Sequence, residues 1–264
     1  MRRLMVASLL VALAATACGK GGSNQGLAKL DQLGFVSAAA NSSAAKGTAK
    51  ISMVMSFTLP QVGAVTAHAD GVMDLAHKAA QLKMSFPIEG ENVSIEAIMS
   101  KGVVYEKFPA EMRSALGIKK PWLSIKAPDA AKGSSPFGLG SITDPTAMFD
   151  ALRSIASSVT KLGSVAVRGV DTTEYVVTLD INKLAASAPA VQRQQFSALG
   201  LSQMNVFVSA DKLVRREEMS FSVAGNTVKA TMDMYDYGAP VHVSVPPASQ
   251  VGDLKQTLGN LSNS

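Results

Sequence analysis

A single cysteine, Cys18, stands in the 264 residues, so no internal disulfide can form and the fold must be held by its core alone. Histidine is nearly as scarce. His68, His77 and His242 are the only three, and none lies two to four residues from another His or from Cys18, which removes the spacing a zinc site needs. Aromatics make up 5% of the chain, with one Trp and four Tyr that are not interleaved with basic clusters. With no Lys/Arg-rich run and a formal charge of only +5, nothing marks a nucleic-acid-binding surface. The signatures of catalysis are missing too. Gly133-Ser134-Ser135 and Gly163-Ser164 do not match a G-x-S-x-G nucleophile elbow. Asp233, Asp236 and Asp253 form no paired-carboxylate pattern, and no Gly-rich phosphate loop leads from a strand into a helix. The chain reads as non-enzymatic, with no cofactor and no metal.

Long apolar runs are lacking as well. Residues 4–14 are apolar except for Ser8, a stretch well short of the ~20 residues a spanning helix needs. Preceded by Arg2 and Arg3 and followed by the small residues Ala15-Thr16-Ala17, it has the layout of a secretory signal peptide. The sole cysteine comes directly after the small residues, as in a bacterial lipobox, where the thiol is acylated and becomes the mature N-terminus. Ala15 stands where such boxes usually carry Leu. The other reading is an ordinary cleaved signal peptide. The lipobox reading places the protein outside the cytoplasmic membrane, anchored to its outer face through lipidated Cys18.

Removing residues 1–17 from the 264 leaves 247 and, with Arg2 and Arg3 gone, lowers the formal charge to +3. Residues 19–26, GKGGSNQG, read as a flexible tether. Leu30, Leu33, Val36 and Ala40 have helical spacing and predict an N-terminal helix over 27–45 that ends near Lys46-Gly47. From Thr48 the period switches to two. Ile51, Met53, Met55 and Phe57, then Val65, Ala67, Ala69 and Met73, then Leu82 and Met84, then Ile95, Ala97 and Met99 alternate with polar residues and are separated by short turns. This predicts an antiparallel meander with one apolar face. A short helix over 109–116, a strand over 121–125 and a long loop over 128–139 follow. The strongest helical pattern spans 144–162: Asp144 caps, Pro145 takes the first turn, and Met148, Leu152, Ile155, Val159 and Leu162 trace a stripe to Gly163. Beyond it come further strands, a helix over 189–199, a final strand through Val241, Val243 and Val245, and a polar tail over 249–264 in which Leu254, Leu258 and Leu261 could make one stripe. In all, about ten or eleven strands and four helices form a single α+β domain over 27–248.

Methionine is abundant where aromatics are few. Met53, Met55, Met73, Met84, Met99, Met204, Met219, Met232 and Met234 fall nearly all on inward strand positions. Unbranched thioethers can simply fill irregular gaps in a core. They can also line a pliable apolar cavity suited to acyl chains, which need volume rather than directed hydrogen bonds.

Three stretches carry a resemblance. Residues 167–175 (VRGVDTTEY), 206–216 (VFVSADKLVRR) and 231–241 (TMDMYDYGAPV) resemble the LppX/LprG-type actinobacterial lipoproteins, within the wider group similar to LolA and LolB. That resemblance implies a strongly curved antiparallel half-barrel, unclosed, with helices over its concave face. It also implies lipid or lipoglycan cargo held between sheet and helices by a monomer anchored to the cytoplasmic membrane. Mapped onto this chain, it implies that Met148, Leu152, Ile155 and Val159 face Met53, Met55, Phe57, Met84, Met99 and Met232 across a lipid-binding cavity. The 128–139 loop, with Gly133, Gly138 and Gly140 as hinges, would be its mouth. The rival reading is a structural or signalling envelope lipoprotein with a filled core, binding another protein through strand edges or loops.

Overall fold

A computed structural model describes residues 24–59, 63–88, 91–115, 117–126, 155–180, 183, 200–223, 225–254 and 256–257. Cys18 and its signal segment, the 128–139 loop, the helix expected over 189–199 and residues Met148 and Leu152 lie outside them.

The chain opens with helix α1 (Asn24–Ala45), which stops where Gly47 takes a φ of +76°, the left-handed conformation a glycine adopts without strain. The period-two segments then become strands: β1 (Thr48–Leu59), β2 (Gly63–Asp74), β3 (Ala79–Ile88), β4 (Glu91–Ser100) and β5 (Val103–Lys107). The short helix α2 (Ala110–Ala115) and strand β6 (Trp122–Lys126) follow. After them come β7 (Ala156–Val167), β8 (Val170–Leu179), β9 (Gln203–Ser209), β10 (Val214–Val223), β11 (Asn226–Tyr235) and β12 (Val251–Asp253).

All twelve described strands belong to one sheet in the order β12-β6-β5-β4-β3-β2-β1-β11-β10-β9-β8-β7. One meander grows outward from β1 to β6 and the other runs inward from β7 to β11. They join where β1 pairs with β11, Met53 opposite Met232. Every pairing is antiparallel except β12 with β6, which is parallel. The ends, β12 and β7, do not pair with each other, so the sheet is unclosed. Where a two-residue turn is required, its residues fit. Lys101 and Gly102 (φ 52° and 72°) and Arg168 and Gly169 (φ 49° and 78°) supply the two consecutive positive φ values that match the twist of a hairpin.

Three expectations are corrected. First, the helix predicted over 144–162 does not reach 162, because 156–167 form strand β7. Its pattern misled because β7 carries two bulges, one between Ala156 and Ser158 and one between Lys161 and Ser164. Each inserts an extra residue and shifts the phase of the alternation, so Ile155, Val159 and Leu162 acquire helix-like spacing on an extended chain. Second, Val241, Val243 and Val245 do not form a strand; Pro240, Pro246 and Pro247 remove amide donors from that stretch. Third, the tail is not merely polar. β12 docks on β6 and Leu254 is buried to 2% exposure in the main core.

The core lies on one face of the sheet. Paired registers carry a row of inward residues across nearly all of it: Ile95, Met84, Ala69, Met53, Met232, Glu217, Val206 and Tyr175. One residue along, the opposite face carries charge, with Lys107, Glu96, Lys83, Asp70, Ser52, Asp233 and Arg216 in register. Opposite charges facing each other across strands are the sheet's equivalent of helical ion pairs. The best of them, Arg216 to Asp233, is bidentate at 2.6 and 3.0 Å.

Candidate functional site

Helix α1 lies against the inward face of the C-terminal meander, over β7, β9 and β10. Leu33, Phe35, Val36 and Ala40 are half-buried against the core and Ala39 is fully buried, the i, i+3, i+4 spacing of an apolar helix stripe. Near the middle of the helix, Phe35 packs on Tyr175 with ring centroids 5.5 Å apart. Near its C-terminal end, Ser43 is buried; its Oγ accepts the Val214 N–H at 2.9 Å and donates to the Ala39 carbonyl at 2.9 Å. Further toward its start, the Lys161 N–H donates to Gln32 Oε1 at 3.2 Å.

Between helix and sheet runs a narrow cleft. Leu33, Val36, Ser37 and Ala40 line it from α1; Ala156, Val177, Met204, Val206, Val214 and Glu217 line it from the strands. Apart from Ser37 and Glu217 these are apolar, with no aromatic ring. Its volume is about 50 Å³, against roughly 300–1,000 Å³ for a typical ligand pocket. The two faces thus nearly meet.

Glu217 is the anomaly. It is 3% exposed, faces inward between Met232 and Val206, and its Oε2 finds no hydrogen-bond partner among the described residues. Burial pushes its carboxyl up to about 7, because an apolar surround disfavours the charged form. Nearby Tyr237, raised above its usual range mainly by burial, donates its hydroxyl to the Val214 carbonyl at 2.5 Å.

Of the ten residues expected to line a cavity, eight are described, and none of the eight lines this cleft. They sit beside it on the same face. Met53, Met84 and Met232 share the register row of Glu217. Val159 and Met55 share the next row, through Val177, Met204, Met219 and Ala230. Phe57 lies two residues further along β1, and Met99 lies on the row of Ala80, Met73 and Ala49. Ile155 is buried just before β7, where its carbonyl accepts the Asp180 N–H at 2.8 Å. The residues the pattern missed belong to α1 and to Glu217. Glu217 had a signal: it alternates in phase with Met219 and Phe221, which puts a carboxylate on the apolar side of its strand.

The three stretches that carry the family resemblance are brought to one corner. The Arg215 Nε donates to Ser209 Oγ and its Nη2 to Asp211 Oδ2, both at 2.8 Å, while its guanidinium sits 5.6 Å from the Tyr237 ring. Arg168 stacks over Tyr235 at 4.0 Å and approaches Asp233 at 3.6 Å. These contacts tie turns together, a structural task. Among the described residues no three His, Cys, Asp or Glu side chains group to hold a metal ion, and no helix is long and apolar enough to cross a membrane.

No protein-family model matches the chain. Over 249 residues it is 26% identical to an uncharacterized 31.2 kDa protein in the rplA-rplJ intergenic region of Streptomyces griseus, covering 88% of this chain and 80% of that one. Among solved structures it is similar to LprF from Mycobacterium bovis, with a TM-score of 0.45 and 16% identity over 83% of this chain and 98% of the other. It is similar to the lipoprotein LppX from Mycobacterium tuberculosis, with a TM-score of 0.46 and 12% identity over 79% and 98%. It also matches a LolA superfamily protein from Nitrosomonas europaea, with a TM-score of 0.30 and 7% identity over 81% and 96%. The matches run across most of the chain.

Proposed function

We propose that this chain is a lipid-binding envelope lipoprotein, anchored to the outer face of the cytoplasmic membrane through acylated Cys18, that carries acyl chains of a lipid or lipoglycan between α1 and the inward face of the sheet. The observation that carries this reading is the apolar seam beneath α1, where half-buried Leu33, Val36 and Ala40 oppose Val177, Met204, Val206 and Val214. Such a seam lets a cover helix lift, because its contacts are almost all aliphatic and few polar groups must part. Each methylene of a cargo chain that replaces the helix there contributes about 0.8 kcal/mol.

The placing of the anchor supports the same reading. Five residues lie between Cys18 and Asn24, so the lipidated end lies at most ~22 Å from the start of α1. The membrane and the cover of the seam are thus held together by one short segment, and two acyl chains would make that attachment stable.

A second reading has its own observations. The cleft of about 50 Å³ suits a filled core, and among the described strands β7 ends the sheet with Leu162 57% and Val165 40% exposed, a surface able to take another chain's strand. Native mass spectrometry of the full-length protein released from mild detergent separates the two. A lipid carrier shows co-purified lipid of defined mass beyond its own anchor; a filled core shows the anchored protein alone.

A further inference from the structure

We propose that Glu217 is the polar contact of the seam, donating a hydrogen bond to the ester carbonyl at the head of a bound acyl chain. This rests on the lipid-carrier reading and adds to it a chemical class: lipids whose chains are joined by esters.

A buried polar atom without a partner costs on the order of 1–3 kcal/mol, and such groups in a folded chain call for an explanation. Glu217 is 3% exposed and Oε2 has no partner among the described residues, yet it stands in the middle of a row that is otherwise Met, Ala, Val and Ile until Tyr175. A packing role would be served better by Met or Leu there. The outward charges on either side of it in β10, Arg216 and Glu218, point to the other face and cannot neutralise it. Arg216 is already occupied by Asp233 at 2.6 and 3.0 Å.

What remains is the cleft, whose wall Glu217 forms with only Ser37 as a second polar side chain. A ligand that meets Glu217 therefore offers a single polar atom embedded in hydrocarbon. The ester carbonyl of an acylated glycerol or sugar is such an atom: an acceptor, uncharged, with an alkyl chain on one side. A protonated carboxyl is its matching donor, and the burial that raises the pKa of Glu217 to about 7 keeps that proton in place near neutral pH. Phospholipid, lipoglycan and triacylglycerol all carry this group.

The test compares lipids that differ only at that atom. The full-length protein in mild detergent is titrated with diacyl phosphatidylcholine and with its dialkyl ether analogue, which lacks the carbonyl, and bound lipid is counted by native mass spectrometry. Wild type is expected to hold the ester at least about tenfold more tightly than the ether. E217Q, whose amide also donates, retains that preference, and E217L binds both equally. Adding triolein to the same series distinguishes neutral glycerolipid from phospholipid as the source of the ester. Equal binding of ester and ether by wild type overturns the proposal and leaves the carrier reading standing, and it does so whether or not E217L folds. Binding of none of these lipids overturns the carrier reading itself.

Discussion

Between its ordinary pKa of 4.5 and its folded value of about 7, the Glu217 carboxyl keeps its proton in the folded chain and loses it in the unfolded one. The folded state then binds more protons than the unfolded state, so stability falls as pH rises through this window. The full penalty, about 3 kcal/mol, is reached above the folded value. E217L or E217Q should therefore gain stability relative to wild type at pH 8, by ~1–3 kcal/mol, and show a flatter stability profile from pH 5 to 8. Urea unfolding monitored by circular dichroism at several pH values measures this, and an unchanged slope contradicts it. Gly71 makes the opposite prediction. A Cβ there would lie 2.1 Å from the Gln81 carbonyl oxygen and 2.9 Å from Leu82 Cδ2. Backbone cannot yield as a side chain does, so G71A should destabilise by ~1–3 kcal/mol or more. Glu217 was legible from its phase with Met219 and Phe221. The clash at Gly71 was not, because it depends on how closely β3 approaches β2.

At the scale of elements, alternation located most of the sheet, including β1 through β6 and β8 through β11, since each strand has one apolar and one polar side. The start of β7, through Leu162, escaped because its two bulges break the phase that such patterns rely on. With Lys161 opposite Tyr175 and Ser164 opposite Thr173, three steps on one strand answer two on the other. β12 escaped because it has only three residues, too few to show a period. Its contribution is nonetheless measurable. Leu254, next to it, is 2% exposed in the core, so L254A should cost ~2–4 kcal/mol, whereas an unattached tail would tolerate the change within ~0.5 kcal/mol. Thermal or urea unfolding distinguishes these outcomes. The cleft wall is a property of elements as well. No stripe on the sheet alone could reveal it, because four of its ten residues come from α1, 110 or more residues away in sequence from the strands it covers. V36W fills the seam from the helix side. It should abolish lipid adducts in native mass spectrometry with little loss of stability if α1 is a cover that lifts, whereas in a filled core it should destabilise by ~1–3 kcal/mol.

On the scale of the whole molecule, the two meanders joined at β1 and β11 place the inward methionines of the described strands on one continuous face, and α1 packs on the part belonging to the C-terminal meander. The fold supplies breadth of apolar surface and the helix supplies closure; under the proposed function, the short link to an acylated Cys18 would bring that closure next to the membrane. The most direct test asks where an acyl chain touches the protein. The full-length chain is incorporated into phosphatidylcholine vesicles containing a trace of phosphatidylcholine with a diazirine on its acyl chain, irradiated and digested, and the labelled peptides are identified by mass spectrometry. Label is expected on peptides covering 32–45, 203–209 and 214–219, the two walls of the seam. Label confined to the N-terminal anchor and the charged outer face of the sheet would contradict it.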